Sequence, residues 1–289
     1  MISDIINPYG DTSKYIYHYT SVETLIKYIL PQKQLMFSPL FKSNDPAELK
    51  WNICASIDDD GLLSDKFKAA MDDGIIIEKF ISESITNNVK TICFSQDNPL
   101  SDYALQDYPI SYYSEYYAGK GFGKPRMWAQ YAVNHTGVCL VFEKEKFLDR
   151  FEKDYNNLLH FSDNVFYEKK ISLSEEDSLY RTLLSSELDN KSLEEVAIER
   201  VKKYHKTYYF YKHEDWQTEN EFRLVIKPDN NEDYYINVDG LLEHIILGAR
   251  FDMKIVESLK ILSSNFENKP RISPFYFTLD RYVVDEPIF

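Results

Sequence analysis

The stretch EFRLVI, residues 221–226, constrains the fold because it commits two faces of one strand to different environments. A strand alternates its side chains with a period of two, so Glu219, Glu221 and Arg223 fall on one face and Asn220, Phe222 and Leu224 on the other. The apolar face requires a core. The charged face is either an acid/base constellation or an ion-paired surface.

A chain of 289 residues, 44% hydrophobic and 15% aromatic, can supply that core. The expected organisation is one domain over residues 1–289 with a helix-rich insertion at 145–213. A formal net charge of -14 argues against broad binding of nucleic-acid backbones, which takes Lys and Arg to displace counterions. The opening MISDIINPYGD lacks a basic segment followed by an apolar one, and no apolar run approaches the ~20 residues of a spanning helix. A soluble cytoplasmic protein without membrane association is expected. Cys54, Cys93 and Cys139 are never spaced as CxxC and read as small core residues. No metal is expected, because the six histidines are scattered and His213-Glu214 has no second histidine a turn away.

Strand and helix patterns alternate along the chain. YIYHYT at 15–20 predicts a strand, and SVETLIKYIL a helix capped by Ser21 or Thr24 and stopped at Pro31. QLMFSP predicts a second strand, and Asn44-Asp45-Pro46 a turn leading into a helix. Residues 58–90 read as helical, TICFS as a strand, and 96–126 as a tyrosine-rich loop. MWAQYAV predicts a short helix, NHTG its turn and VCLVF a buried strand. Helix is expected from Ser172 to Lys212, with Ser192 and Glu195 in capping-box spacing. The strand carrying Glu221, strands at YYINV and HIILG, a helix over 252–266 and a terminal FYFTL strand follow. The mixture predicts an α+β fold with mostly antiparallel strands, since the spacing is too irregular for repeating βαβ units.

Five ordered motifs, YIYHYTSVETLIKYI, KSNDPAE, TICFSQ, RMWAQYAVNHTGVCLVF and WQTENEFRLVI, resemble the bacterial family known as domain of unknown function 2971. A more distant resemblance is to the ADP-ribosyltransferase superfamily, which includes toxins that modify DNA bases. It rests on His18-x-Thr20 on a first strand followed by a helix, and on Glu221 on a late strand. The resemblance implies an ADP-ribosyltransferase-like fold and NAD as substrate, in transfer or in hydrolysis, and a role as toxin or defence effector.

Breaking the nicotinamide–ribose bond develops positive charge on the ribose, so such an enzyme sets a carboxylate beside it. By the resemblance, Glu221 is that carboxylate, Glu219 the second acid of a Glu-x-Glu pattern, and His18 the anchor of a ribose hydroxyl. Tyr19, Thr20, Phe37, Ser38, Trp128 and Tyr131 are the candidate cofactor contacts, with Arg223 pairing an acid or a phosphate. The tyrosine of the second strand in His-Tyr-Glu members has no counterpart beyond Phe37. The acceptor is left open. Separately, GKGFGKPR at 119–126 is either a glycine-rich approach to a pyrophosphate or a mobile loop. Trp128 and Tyr131 either wall a pocket or belong to the core. The competing class is a non-enzymatic ligand- or protein-binding module using the tyrosine-rich 103–117 region and the acidic helices, and a nucleoside hydrolase is a third reading.

Overall fold

A computed structural model describes residues 14–46, 48–49, 54–57, 71–98, 119–168, 179–277, 282–284 and 288. Nine strands form the main sheet: β1 (Tyr15–Thr20), β2 (Ser38–Pro39), β3 (Lys90–Gln96), β4 (Val138–Glu143), β5 (Leu159–Asn164), β6 (Glu221–Lys227), β7 (Leu242–Leu247), β8 (Arg271–Phe277) and β9 (Tyr282–Val284). Their order is β9-β8-β7-β4-β1-β3-β6-β5, with β2 on the far end of β3. Among the described residues of this sheet only the β7–β8 pair is parallel, so the fold is α+β with a mostly antiparallel sheet. The region 103–117 and residues 58–70 lie outside the described residues.

Period-two alternation assigns the two faces. Ile16 of β1, Ile92 and Phe94 of β3, Phe142 of β4 and Phe222 and Leu224 of β6 share one core. The helix Lys144–Tyr155 covers it with Phe147 and Phe151, and Leu25, Ile29 and Leu259 close its edges. The opposite face carries two separate apolar clusters. One packs Val225 beneath the helix Leu193–Tyr209, and the other packs Tyr17, Tyr19, Cys139 and Val141 beneath the helix Pro125–Tyr131.

The sheet splits at its centre. Strands β1 and β3 pair only at Ile16↔Gln96 and Tyr17↔Ser95, and β2 then takes the other end of β3 at Thr91 and Lys90. In the gap, the His18 ring reaches the Cys93 carbonyl through Nδ1 at 3.0 Å, serving a group that the strand ladder leaves.

Several local expectations change for identifiable reasons. The first helix passes through Pro31 to Gln32, because Leu25–Ile29 forms a π turn in which the Leu30 amide donates to the Leu25 carbonyl. Ser21 is its cap, accepting from the Thr24 amide. Asn44-Asp45-Pro46 makes the expected turn, the Glu48 amide donating to the Asp45 carbonyl, and most of the helix expected after it lies outside the described residues. The span 172–212 is not one helix. The buried Arg200 guanidinium donates to the carbonyls of Leu179, Tyr180 and Thr182, so those acceptors are lost to a helical ladder. The capping box at Ser192 and Glu195 instead starts the shorter helix Leu193–Tyr209. Near the C-terminus a helix occupies Val256–Ser263, after a 3-10 turn capped by Asp252.

GKGFGKPR is a packed wall in this fold. The Lys120 ammonium donates to Asp97 at 2.8 Å, the Gly121 amide donates to the same carboxylate, and Tyr19 donates its hydroxyl to the Gly121 carbonyl. A methyl group at Gly121 would overlap the Tyr17 ring. Overpacking of this kind costs on the order of 1–3 kcal/mol. Gly121→Ala is therefore expected to lower the unfolding free energy by that amount, seen as a lower urea midpoint. An unchanged midpoint would show that Tyr17 yields freely.

Candidate functional site

Between the two apolar clusters on the second face lies a polar strip formed by Cys93 and Ser95 of β3 and Glu221 and Arg223 of β6. It results from the sequence alternation itself, because Arg223 stands opposite Cys93 and Glu221 opposite Ser95. Above the strip is a cavity of about 170 Å³. Its lining includes Tyr17, Tyr19, Met127 and Tyr131, the charged side chains Lys212, Glu219, Glu221 and Arg223, and His18, whose ring packs edge-on against Phe94.

The charged wall is almost dry. Glu221 accepts from Arg223 Nε at 2.7 Å through Oε1 and from Lys212 Nζ at 2.7 Å through Oε2. Lys212 also donates to Glu219 Oε2 at 2.8 Å, and Tyr131 donates to Glu219 Oε1 at 2.6 Å. Arg223 Nη2 reaches Glu48 Oε1 at 2.6 Å, while Nη1 donates to the Tyr209 carbonyl. Lys124 donates to Ser95 Oγ and to the Glu219 carbonyl. The formal count over Glu48, Glu219, Glu221, Lys212 and Arg223 is three carboxylates against two cations, with Lys124 beside them.

Local backbone choices aim these groups. Glu219 ends a 3-10 turn rather than entering β6, and Asn220 at φ 44° reverses the chain between the two acids. Asn220 is suited to that left-handed conformation and fixes it by donating from Nδ2 to the Asp97 carbonyl at 2.8 Å. The Glu221 amide donates to Tyr167 Oη, which anchors the start of β6.

Protonation follows from burial and partners. Burial alone would raise the Glu221 carboxyl, but Arg223 and Lys212 outweigh it and hold the group well below the usual carboxylate range. Burial lowers Lys212, yet Glu221, Glu48 and Glu219 more than reverse this and keep the ammonium charged. Glu48 behaves oppositely, its carboxyl raised by burial despite Arg223. Burial brings Lys124 down to about 8, against the pull of Asp97 and Glu219. It also pushes the Cys93 thiol up, as does Glu221, so Cys93 is no thiolate nucleophile. Burial lowers His18 below the ordinary imidazole value, partly offset by the Cys93 carbonyl. A carbonyl only accepts, so Nδ1 carries the proton and Nε2 is the acceptor of the neutral ring.

Of the residues singled out in the sequence, His18, Tyr19, Tyr131, Glu219, Glu221 and Arg223 line one cavity. The others sit elsewhere. Phe37 is wholly buried on the opposite core against Phe151 and Tyr155, Ser38 is an exposed edge position on β2, and Thr20 lies outside the lining. Trp128 is also fully buried, stacking on Phe275 and donating to the Phe122 carbonyl, so it supports Tyr19 from behind. Sequence reasoning passed over Tyr17, although YIYHYT puts it on the face of Tyr19, and Lys212, which was read as the end of a helix. Glu48 closes the KSNDPAE motif, but only the tertiary fold brings it to Arg223. Among the described residues no group of three or more His, Cys, Asp and Glu side chains is placed to hold a metal ion. No described helix is long and apolar enough to cross a membrane.

The family described as Protein of unknown function (DUF2971) matches residues 127–224. The matched segment runs from Met127 of the cavity wall to just beyond Arg223 and so contains most of the charged wall. No curated protein and no solved structure matches the chain.

Removing one member of a buried charge pair costs roughly 3–5 kcal/mol, since its partners stay buried and uncompensated. Lys212→Met is expected to lose stability in that range in urea unfolding at neutral pH. The acid limb has a definite sign. A depressed folded-state pKa at Glu221 contributes stability above the unfolded carboxylate value of about 4.3, and that contribution is lost as pH falls through the folded value. From pH 5 down to pH 3 wild type should therefore lose more stability than Glu221→Gln. Parallel losses would mean that Glu221 is not held ionised.

Proposed function

We propose that the chain cleaves the nicotinamide–ribose bond of NAD, passing ADP-ribose to an acceptor or to water. Under this reading its split sheet is ADP-ribosyltransferase-like and the protein acts as a toxin or defence effector. The observation that carries the proposal is an ionised, buried carboxylate, Glu221, on an aromatic-walled cavity the size of one ring, with His18 also in its lining. A cavity of ~150 Å³ holds a benzene ring, so about 170 Å³ suits a nicotinamide rather than a whole dinucleotide. Strands β1 and β6, which carry the two residues, both flank β3 in the main sheet.

The roles follow from protonation and contact. As the bond from ribose C1′ to the ring nitrogen breaks, its electron pair returns to nicotinamide and positive charge moves to the ribose. An ionised carboxylate stabilises that charge; a protonated one would not. Glu221 Oε2 accepts from both Lys212 and Arg223 Nη2, so a ribose hydroxyl would be met by Oε1, which accepts from Arg223 Nε. His18 Nε2 offers an acceptor to another hydroxyl. Tyr131 and Tyr19 flank the ring, and Glu219, fixed by Tyr131 and Lys212, orients the acceptor side.

One observation favours a second reading, a binding module that does not cleave its ligand. Both Glu221 oxygens already face a cation, which weakens the field that the carboxylate presents. Nicotinamide release from NAD separates the two. Cleavage predicts release by wild type, a loss of roughly 100-fold or more in Glu221→Gln, and hydrolysis retained in Glu219→Gln. Equal release by wild type and Glu221→Gln contradicts the assignment. Saturable NAD binding with no release in any variant favours the module.

A further inference from the structure

The segment Lys42-Ser43-Asn44 belongs to the lining of the cavity beside Glu221. Among the described lining residues only Lys42 and Asn44 are exposed, whereas Tyr17, Tyr19 and Met127 are buried, so this segment forms the lip through which the cavity meets solvent. Read from the sequence it is a turn; in the fold it is also the edge of the site.

Charge at the lip differs from charge on the wall. The described lining holds three cations, Lys42, Lys212 and Arg223. Lys212 and Arg223 are buried and committed to Glu219, Glu221 and Glu48. Lys42 has no carboxylate partner among the described residues, and its ammonium lies 5.9 Å from the centroid of the neighbouring Phe41 ring, at the outer limit of a cation–π contact. On its flexible stem that ammonium can turn to a group at the opening.

Size and charge together decide what reaches it. One ring nearly fills about 170 Å³, so the rest of a ring-bearing ligand leaves past the lip. An anionic remainder is turned away from the wall, where Glu48, Glu219 and Glu221 outnumber Lys212 and Arg223, and meets at the lip an ammonium with donors to spare. A neutral remainder gains nothing from Lys42.

We propose that Lys42 reads a phosphate on the ligand, which makes the site specific for a ring-bearing ribonucleotide over the matching nucleoside. The inference rests on the NAD reading and narrows it, the 5′-phosphate of the nicotinamide ribose being the group that Lys42 meets.

The test is calorimetric titration of the full chain with carbon-linked analogues of nicotinamide riboside and of its 5′-phosphate, neither of which can be cleaved. Wild type is expected to bind the phosphate about fivefold or more tighter than the riboside, through one charge-assisted hydrogen bond at a solvent-exposed position. Lys42→Gln should bring the two within about twofold by weakening the phosphate alone, and Lys42→Glu should reverse their order. Both substitutions fall at an exposed position and leave the fold intact. Raising the ionic strength should shrink the wild-type preference, because the charge is exposed. Riboside binding with no gain from the phosphate, or a gain that survives in Lys42→Gln, overturns the assignment of Lys42 and leaves the NAD reading standing. Binding of neither analogue at millimolar concentration overturns both.

Discussion

The Glu221–Arg223–Lys212 contact is where distant parts of the chain become one structure. Arg223 joins β6 to Glu48 from the N-terminal third and to the Tyr209 carbonyl at the end of a long helix, while Lys212 ties both Glu219 and Glu221 to the strand that follows it. Burying so many charges is costly, and a well-packed apolar cluster would hold these segments at least as firmly. What the charged set adds is placement of an ionised carboxylate, with fixed orientation, on the wall of an otherwise aromatic cavity. The same set separates the two apolar clusters of that sheet face, so the cavity is a consequence of how the face is divided.

The split between β1 and β3 is the second element of the arrangement. A continuous ladder would leave no room beside Cys93; the divergence lets the His18 ring take the carbonyl and stand at the cavity edge. The close packing of Gly121 on Tyr17 then fixes the aromatic wall, with Lys120 and Asp97 locking the segment from below. A stretch whose composition suggests phosphate binding is thereby consumed in support, its glycine needed for proximity between backbone and ring.

Much of this was legible in the sequence where periodicity carried it. The alternation in EFRLVI separated Glu221 and Arg223 from the core face of Phe222 and Leu224, and MWAQYAV with its following turn gave a helix, turn and strand that the fold repeats, whereas Cys93 of TICFS, expected in the core, lines the polar strip instead. Legibility failed where one side chain from far away decided the backbone. Arg200 takes the carbonyls that would have made 179–182 helical. Glu48 and Lys212 are matters of tertiary juxtaposition, for which a local pattern offers no measure. Phe37 is a candidate contact only as the counterpart of the second-strand tyrosine that the resemblance implies, but its side chain is buried in the other core.

The central claim is that the cavity between His18 and Glu221 receives the nicotinamide end of NAD. Its most direct test is a crystal structure of the protein with a carbon-linked NAD analogue that resists cleavage. The account expects the nicotinamide ring between Tyr19 and Tyr131 and a ribose hydroxyl within hydrogen-bond distance of the Glu221 carboxylate. An analogue bound elsewhere on the protein, with that cavity left to its own side chains, would contradict it.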